Sequence, residues 1–382
     1  MTCDPAASPP RPRRLRRALV ATLAAAAVGA GPACATEADL SGPDVEVVGA
    51  GEFAATPAYL AAVADATDGL TYRISMDMTM RFAAEGESFQ AGGTLATGEV
   101  DGDLSSMTVD LGALFDELAD QIPPDEALPE GFLDGDLTME MVTDGRTGYM
   151  RLPYFRTMAE VMLDAGASRS DLGPLADLAE LGDTWGRIDL SEVSPSEVAS
   201  AAGAQTFDPR AFLDVAALGT DVRELGTATI DSVEVRGLGA TVTYGDMLEA
   251  QGVDADDRLD QMTSGAGVAG DDEFSEAFEQ AMDAVMAADM PIEVWVDGDD
   301  HVRRISLALN MTEVMAGVAA AGGEDIRDTG MSGDVVMDFT DYGDDSIQIE
   351  IPTDAVDITD EFLALMEGGG LDSGAGSPLG ST

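Results

Sequence analysis

The stretch LTYRISMDMTMRF, Leu70 to Phe82, decides the fold. Tyr72, Ile74, Met76, Met78, Met80 and Phe82 alternate with Arg73, Ser75, Asp77, Thr79 and Arg81. A period of two sends successive side chains to opposite faces, so this is a strand with one dry and one wet face. Three of the six dry positions are methionine. That side chain is flexible and polarizable, and it lines adaptable apolar surfaces better than it fixes a rigid core. Packed helices and an apolar ligand can both satisfy such a face.

Working outward, PAYLAAVADATD (57–68) opens on proline and shows helical spacing at Leu60 and Val63. After the first strand, AEGES turns the chain back into 88–100. DGD at 101–103 leads into 104–111, with Met107, Val109 and Leu111 on one face. Residues 112–134 are mixed and carry prolines. Strands follow at 136–143 (Leu137, Met139, Met141) and 146–152, joined by TDGR, whose Asp-Gly pair is a strong hairpin signal. Residues 153–184 read as short helices and loop, and TWGRIDL (184–190) as a short strand.

The second half begins with helical segments near 194–203 and 208–217, the latter opened by Asp208-Pro209. TATIDSVEVRGLGATVTYGDML (227–248) reads as two strands around Arg236-Gly237. Residues 271–288 form an amphipathic helix through Phe274, Phe278, Met282, Val285 and Met286. IEVWVDGDDHVRRISLALNM (292–311) is a hairpin turning at Asp297 to Asp300, and 333–352 reads as another. A Gly- and Ser-rich tail, expected to be disordered, fills 363–382. The count is about eleven strands, nearly all joined locally as hairpins, with helices between strand groups. That pattern means an α+β fold with one large, mostly antiparallel sheet and helices on one face. Two helix-plus-strands blocks are discernible, one starting near 57 and one near 208.

Of 382 residues, 45% are hydrophobic, enough to bury a sizeable core. All 19 basic residues are arginine, against 73 acidic residues, for a net charge of -54. Such a chain repels nucleic acid and anionic headgroups at long range, so no nucleic-acid partner is expected. A solvated acidic surface suited to a salty medium is the plain explanation.

The N-terminus places Arg11, Arg13, Arg14, Arg16 and Arg17 before an apolar run from Ala18 to Ala30. That run has the length of a signal-peptide core and falls short of a membrane span. Residues 1–33 are therefore expected to be a signal peptide. GPAC puts small residues before Cys34, as in a lipoprotein signal, although Gly31 stands where leucine is usual. Lipidation of Cys34 would anchor the chain through the flexible tether 34–55, on the outer face of the cytoplasmic membrane. Alternatively Ala33-Cys34-Ala35 is an ordinary cleavage site and the protein is secreted.

Catalytic chemistry is hard to build here. His301 is the single histidine, placed in a turn and expected at the surface, and lysine is absent. Most nucleophile–base pairs and histidine–cysteine zinc sites are then missing. Asp297-Gly298-Asp299-Asp300 and Tyr342-Gly343-Asp344-Asp345 lack EF-hand spacing and fall where hairpin turns want Asp and Gly. Neither a metal nor a cofactor is implied, and the chain is not expected to be an enzyme. Trp185 and Trp295 are simplest as core residues, though Trp295, within a strand, could line a cavity. The candidate apolar lining is Tyr72, Ile74, Met76, Met78, Met80, Phe82, Met139, Met141, Met282, Met286 and Trp295.

The signal ending in Cys34, the tether, the first long strand, TWGRIDLSEV and the two C-terminal segments MPIEVWVDGDDHVRRISLALNM and VVMDFTDYGDDSIQIEIP resemble actinobacterial lipoproteins of the LppX/LprG type, related to the LolA/LolB carriers. The resemblance covers roughly 55–360. It implies a half-barrel antiparallel sheet curled over helices, a lipid-binding domain over 56–362, and an apolar cavity between the layers. It also implies an envelope protein that binds or carries a lipid or acylated ligand; the chain is expected to be anchored and monomeric. The alternative is a non-catalytic extracellular interaction or sensor module with a filled core.

Overall fold

The computed structural model describes residues 56–67, 69–84, 87–119, 132–133, 135–164, 166–169, 172, 174–190, 209–250, 286–310, 312, 330–360 and 362–363. The expected signal peptide, Cys34, the tether, the helix at 194–203 and the tail beyond Leu363 lie outside the described residues. So does the helix 271–288, except for its last three positions.

In chain order the elements are α1 (Pro57–Thr67), β1 (Thr71–Ala84), β2 (Glu87–Asp101), β3 (Leu104–Asp110), α2 (Gly112–Ala119), β4 (Thr138–Thr143) and β5 (Thr147–Arg151). Then come α3 (Pro153–Asp164), α4 (Pro174–Leu181), β6 (Gly186–Asp189), α5 (Pro209–Leu218), β7 (Thr220–Ile230), β8 (Val233–Thr243) and α6 (Tyr244–Ala250). The chain ends with β9 (Asp289–Asp297), β10 (Val302–Asn310), β11 (Gly330–Thr340) and β12 (Val356–Asp357). Helices α1, α3, α4 and α5 each begin on proline, whose fixed φ and missing N–H suit the first helical position.

All twelve strands join one curled, open sheet in the order β12-β6-β5-β4-β3-β2-β1-β11-β10-β9-β8-β7. Every pairing is antiparallel except β12 with β6. The sheet is therefore two meanders laid side by side. One follows α1 and runs β1 to β6; the other follows α5 and runs β7 to β11. They meet where β1 pairs with β11, from Arg73↔Thr340 to Ala83↔Gly330. Helices α1 and α5 also pack together, so the two blocks join in both layers. No described helix is long and apolar enough to cross a membrane.

Two turn expectations are corrected. The hairpin expected to turn at Arg236-Gly237 turns instead at Asp231 (φ 47°) and Ser232 (φ 69°). Two consecutive left-handed residues form the two-residue turn whose twist matches a hairpin. Arg236 and Gly237 lie inside β8. The hairpin expected over 333–352 does not form either: β11 has β1 on one side and β10 on the other. Both edges of β11 are taken, and the chain after Thr340 leaves the sheet until β12.

The core sits between the inner face of the sheet and the helices. Leu60 and Val63 of α1, Phe115 of α2, and Leu213 and Ala216 of α5 meet Ile74, Met78, Ile292, Val294, Ile305, Met337 and Phe339 there. The outer face carries paired charges instead. Arg73 contacts Glu99 and Asp341, Arg304 contacts Asp338, Arg81 contacts Asp334, and Arg151 contacts Glu140.

Candidate functional site

The six apolar residues of β1 share the inner face. Tyr72, Ile74, Met78 and Phe82 are buried, and Met76 and Met80 are half-buried against the same core. Beside Met78 the strand borders a small cleft. The cleft lined by Met78, Gly93, Thr94, Leu95, Asp110 and Leu114 has a volume of about 10 Å³, room for one water.

The same face continues across β3, β4 and β5. Register carries one row across six strands: Ile74, Gly98, Met107, Met141, Met150 and Gly186. The next row holds Met76, Ala96, Val109 and Met139. Met107 and Met139 pack at the margin of the main core. Met150 packs against a second cluster, formed by Leu178, Ile188, Ile358 and Phe362. Met141 stands between them in register, and all four methionines are half-buried, as Met76 and Met80 are. The remaining inner positions of β3 to β6 are Ser105, Thr143, Gly148 and Ile188, so no charge points inward along these strands.

Trp295 is not brought together with these residues. Val294 and Val296 belong to the inner core, so Trp295 points to the outer face, where it is 1% exposed among Ala228, Ile230 and Val235. Its partner in β8 is Gly237, and a Cβ there would lie 2.6 Å from the indole. Only glycine leaves room for that ring. Met286 is half-exposed just before β9, while Met282 lies outside the described residues.

A polar cluster that the sequence did not reveal closes one end of the sheet. Tyr342 donates to the Val302 carbonyl at 2.6 Å. His301, 24% exposed in its side chain, stacks on Tyr342 at 4.6 Å and 16°. The Arg303 guanidinium lies 5.1 Å from the same ring, and Tyr72 packs at 5.4 Å. Beside it, Tyr59 of α1 donates to Asp300 at 2.9 Å, and Arg236 donates to the Tyr59 hydroxyl at 3.0 Å. Burial and the hydrogen bond to Asp300 push the Tyr59 pKa up to about 12, and burial pushes Tyr342 higher still. These contacts depend on side chains far apart in the chain, so no local spacing signals them.

Asp297, Asp299 and His301 bring their donor atoms within 4.8 Å of one another. The geometry is that of a turn. Asp297 Oδ1 accepts from Asp299 N at 2.9 Å and from His301 N at 3.0 Å, and Oδ2 accepts from Arg303 Nε at 2.7 Å. The Asp297 charge is already met by Arg303. Burial pushes this carboxyl up, but the hydrogen bonds from His301, Arg303 and Asp299 outweigh burial and hold it below the ordinary value.

No family model and no curated protein matches the chain. Among solved structures it is similar to the lipoprotein LppX of Mycobacterium tuberculosis, at 13% identity over 77% of this chain and 99% of that one, with a TM-score of 0.32. It is also similar to LprF from Mycobacterium bovis, at 11% identity over 78% and 97% of the two chains, with a TM-score of 0.29. Likeness this loose carries neither ligand nor activity from those proteins to this one.

Proposed function

We propose that the chain is an exported, envelope-anchored lipoprotein that binds a lipid or acyl chain against the inner face of its sheet. One observation carries the reading: the uncharged, methionine-rich inner face of β3 to β5, only partly buried. Because β1 is packed against helices, the ligand lies toward Met107, Met139, Met141 and Met150. Each buried CH₂ contributes about 0.8 kcal/mol, so an acyl chain binds usefully without a charged site. The role is binding and not catalysis, in keeping with one histidine and no lysine. Anchoring is by a diacylglyceryl group on Cys34, and the protein acts as a monomer.

The test is organic extraction of the purified protein followed by mass spectrometry. Lipid is recovered from the wild type, and Met141→Asp, which puts a charge on the apolar face, lowers the yield at least tenfold. Intact mass of the mature chain shows the modified Cys34 at its N-terminus. An extract with no more lipid than an unrelated control protein sinks the reading. That result favours the second one, an interaction module with a filled core, which the burial of Tyr72, Ile74, Met78 and Phe82 supports.

A further inference from the structure

We propose that Met107, Met141 and Met150 form a thioether site for a soft monovalent metal ion, Cu(I). Met107 faces Met141, and Met141 faces Met150, in consecutive antiparallel pairings. Residues directly opposite have Cβ atoms about 4.5–5.5 Å apart. Each methionine has three rotatable bonds beyond Cα, so three sulfurs can converge on one ion across that spacing. Met139, two residues from Met141 on the same face, can add a fourth.

The surroundings fit a soft cation and no other common one. The row is bracketed by glycines at Gly98 and Gly186, over which Ile74 and Ile358 lie. The inner positions of these strands carry no carboxylate. Glu140 and Arg151 sit on the outer face, paired with each other. Calcium and magnesium require oxygen ligands, and structural zinc requires thiolate, imidazole or carboxylate. A neutral set of thioethers selects Cu(I). Met107, Met141 and Met150 are only partly buried, whereas Met290 and Met337 are each 1% exposed. The net charge of -54 raises the local concentration of any cation. The metal enters and leaves as Cu(I), so no electron is transferred.

This inference does not rest on the lipid reading. A lipid needs only the apolarity of the face, whereas Cu(I) needs the sulfur. Met→Leu separates the two, because it keeps volume and apolarity and removes the donor. In anaerobic competition against bicinchoninate, the purified full chain takes one Cu(I). The variant combining Met107→Leu, Met141→Leu and Met150→Leu loses at least a hundredfold in affinity, while Met290→Leu changes nothing. Should the triple variant fail to fold, Ag(I) added to the unaltered ¹³C-methyl-methionine chain reads the same site. Three methyl resonances, assigned by single Leu variants to these residues, then move together. Bicinchoninate retaining all the copper, a triple variant that binds as wild type does, or Ag(I) shifts confined to other methionines would overturn the proposal.

Discussion

Asp297 is a carboxylate 3% exposed in a chain with carboxylates to spare, and the reason is local. It closes the β9–β10 turn by accepting from two backbone N–H groups and holds Arg303, which in turn covers Tyr342. Replacing it with Asn removes the charge and leaves Arg303 without its partner, at a cost of about 1–3 kcal/mol. The pH dependence follows from the lowered pKa. A depressed carboxyl contributes stability above its unfolded pKa, about 4, and loses it as pH falls through the folded value. The stability gap between wild type and Asp297→Asn, read by urea unfolding, is therefore full at pH 6 and shrinks on acidification below about pH 4. A gap that is constant with pH would rule out this role. Asp297 was legible as a turn residue, but its burial and its ion pair with Arg303 six residues on were not. The facing of Trp295 was hidden for a related reason. Val294, Trp295 and Val296 are all buried, so apolar residues fill both faces and a period of two cannot assign either.

At the level of elements, alternation and Asp-Gly turns located β1 to β5 and the β9–β10 hairpin. The failures came at β7–β8, a local hairpin whose turn is unmarked, and after Thr340, where a non-local pairing takes the edge. Asp231-Ser232 lacks the glycine that advertises a two-residue turn, so Arg236-Gly237 drew the reading; that glycine is there to admit the Trp295 indole. The segment after Thr340 alternates like a strand, yet β1 already occupies the edge it would need. Tyr342 and Gly343 instead tie it to the sheet end, the latter by a hydrogen bond to the Thr71 carbonyl at 2.8 Å. The seam between the two blocks should then be the most protected part of the sheet. Amide exchange by mass spectrometry is expected to be slowest in β1, β10 and β11, which have strand neighbours on both sides and the core beneath them. It should be at least a hundredfold faster in β7 and β12 at the edges. Exchange that is uniform across the sheet, or faster in β11 than in β7, would contradict a seam that holds the blocks together.

For the whole molecule, the block starts near 57 and 208 mark the two helices, α1 and α5, that open the halves. The inner methionine rows were only half legible: β1 announced one by alternation, but the row from Met107 to Met150 exists only once three strands are in register. Charge governs stability at this scale. With 73 acidic residues against 19 basic ones, most carboxylates have no arginine to face, and the compact state carries their repulsion. The outer-face pairs oppose this only weakly, since half-exposed ion pairs contribute about 0.2–1 kcal/mol each. Salt weakens both effects, and the repulsion is the larger, so added salt should stabilise. Raising NaCl from 0.1 M to 1 M shortens the screening length from about 10 Å to about 3 Å. If that relieves about 2 kcal/mol, the thermal midpoint rises by roughly 2–4 °C for a folded domain of about 300 residues. Calorimetry in NaCl beside an osmotically matched sucrose series separates screening from solute exclusion. A midpoint that stays flat or falls in salt, or one that rises equally in sucrose, would mean that the outer-face pairs outweigh the repulsion or that charge does not limit the fold.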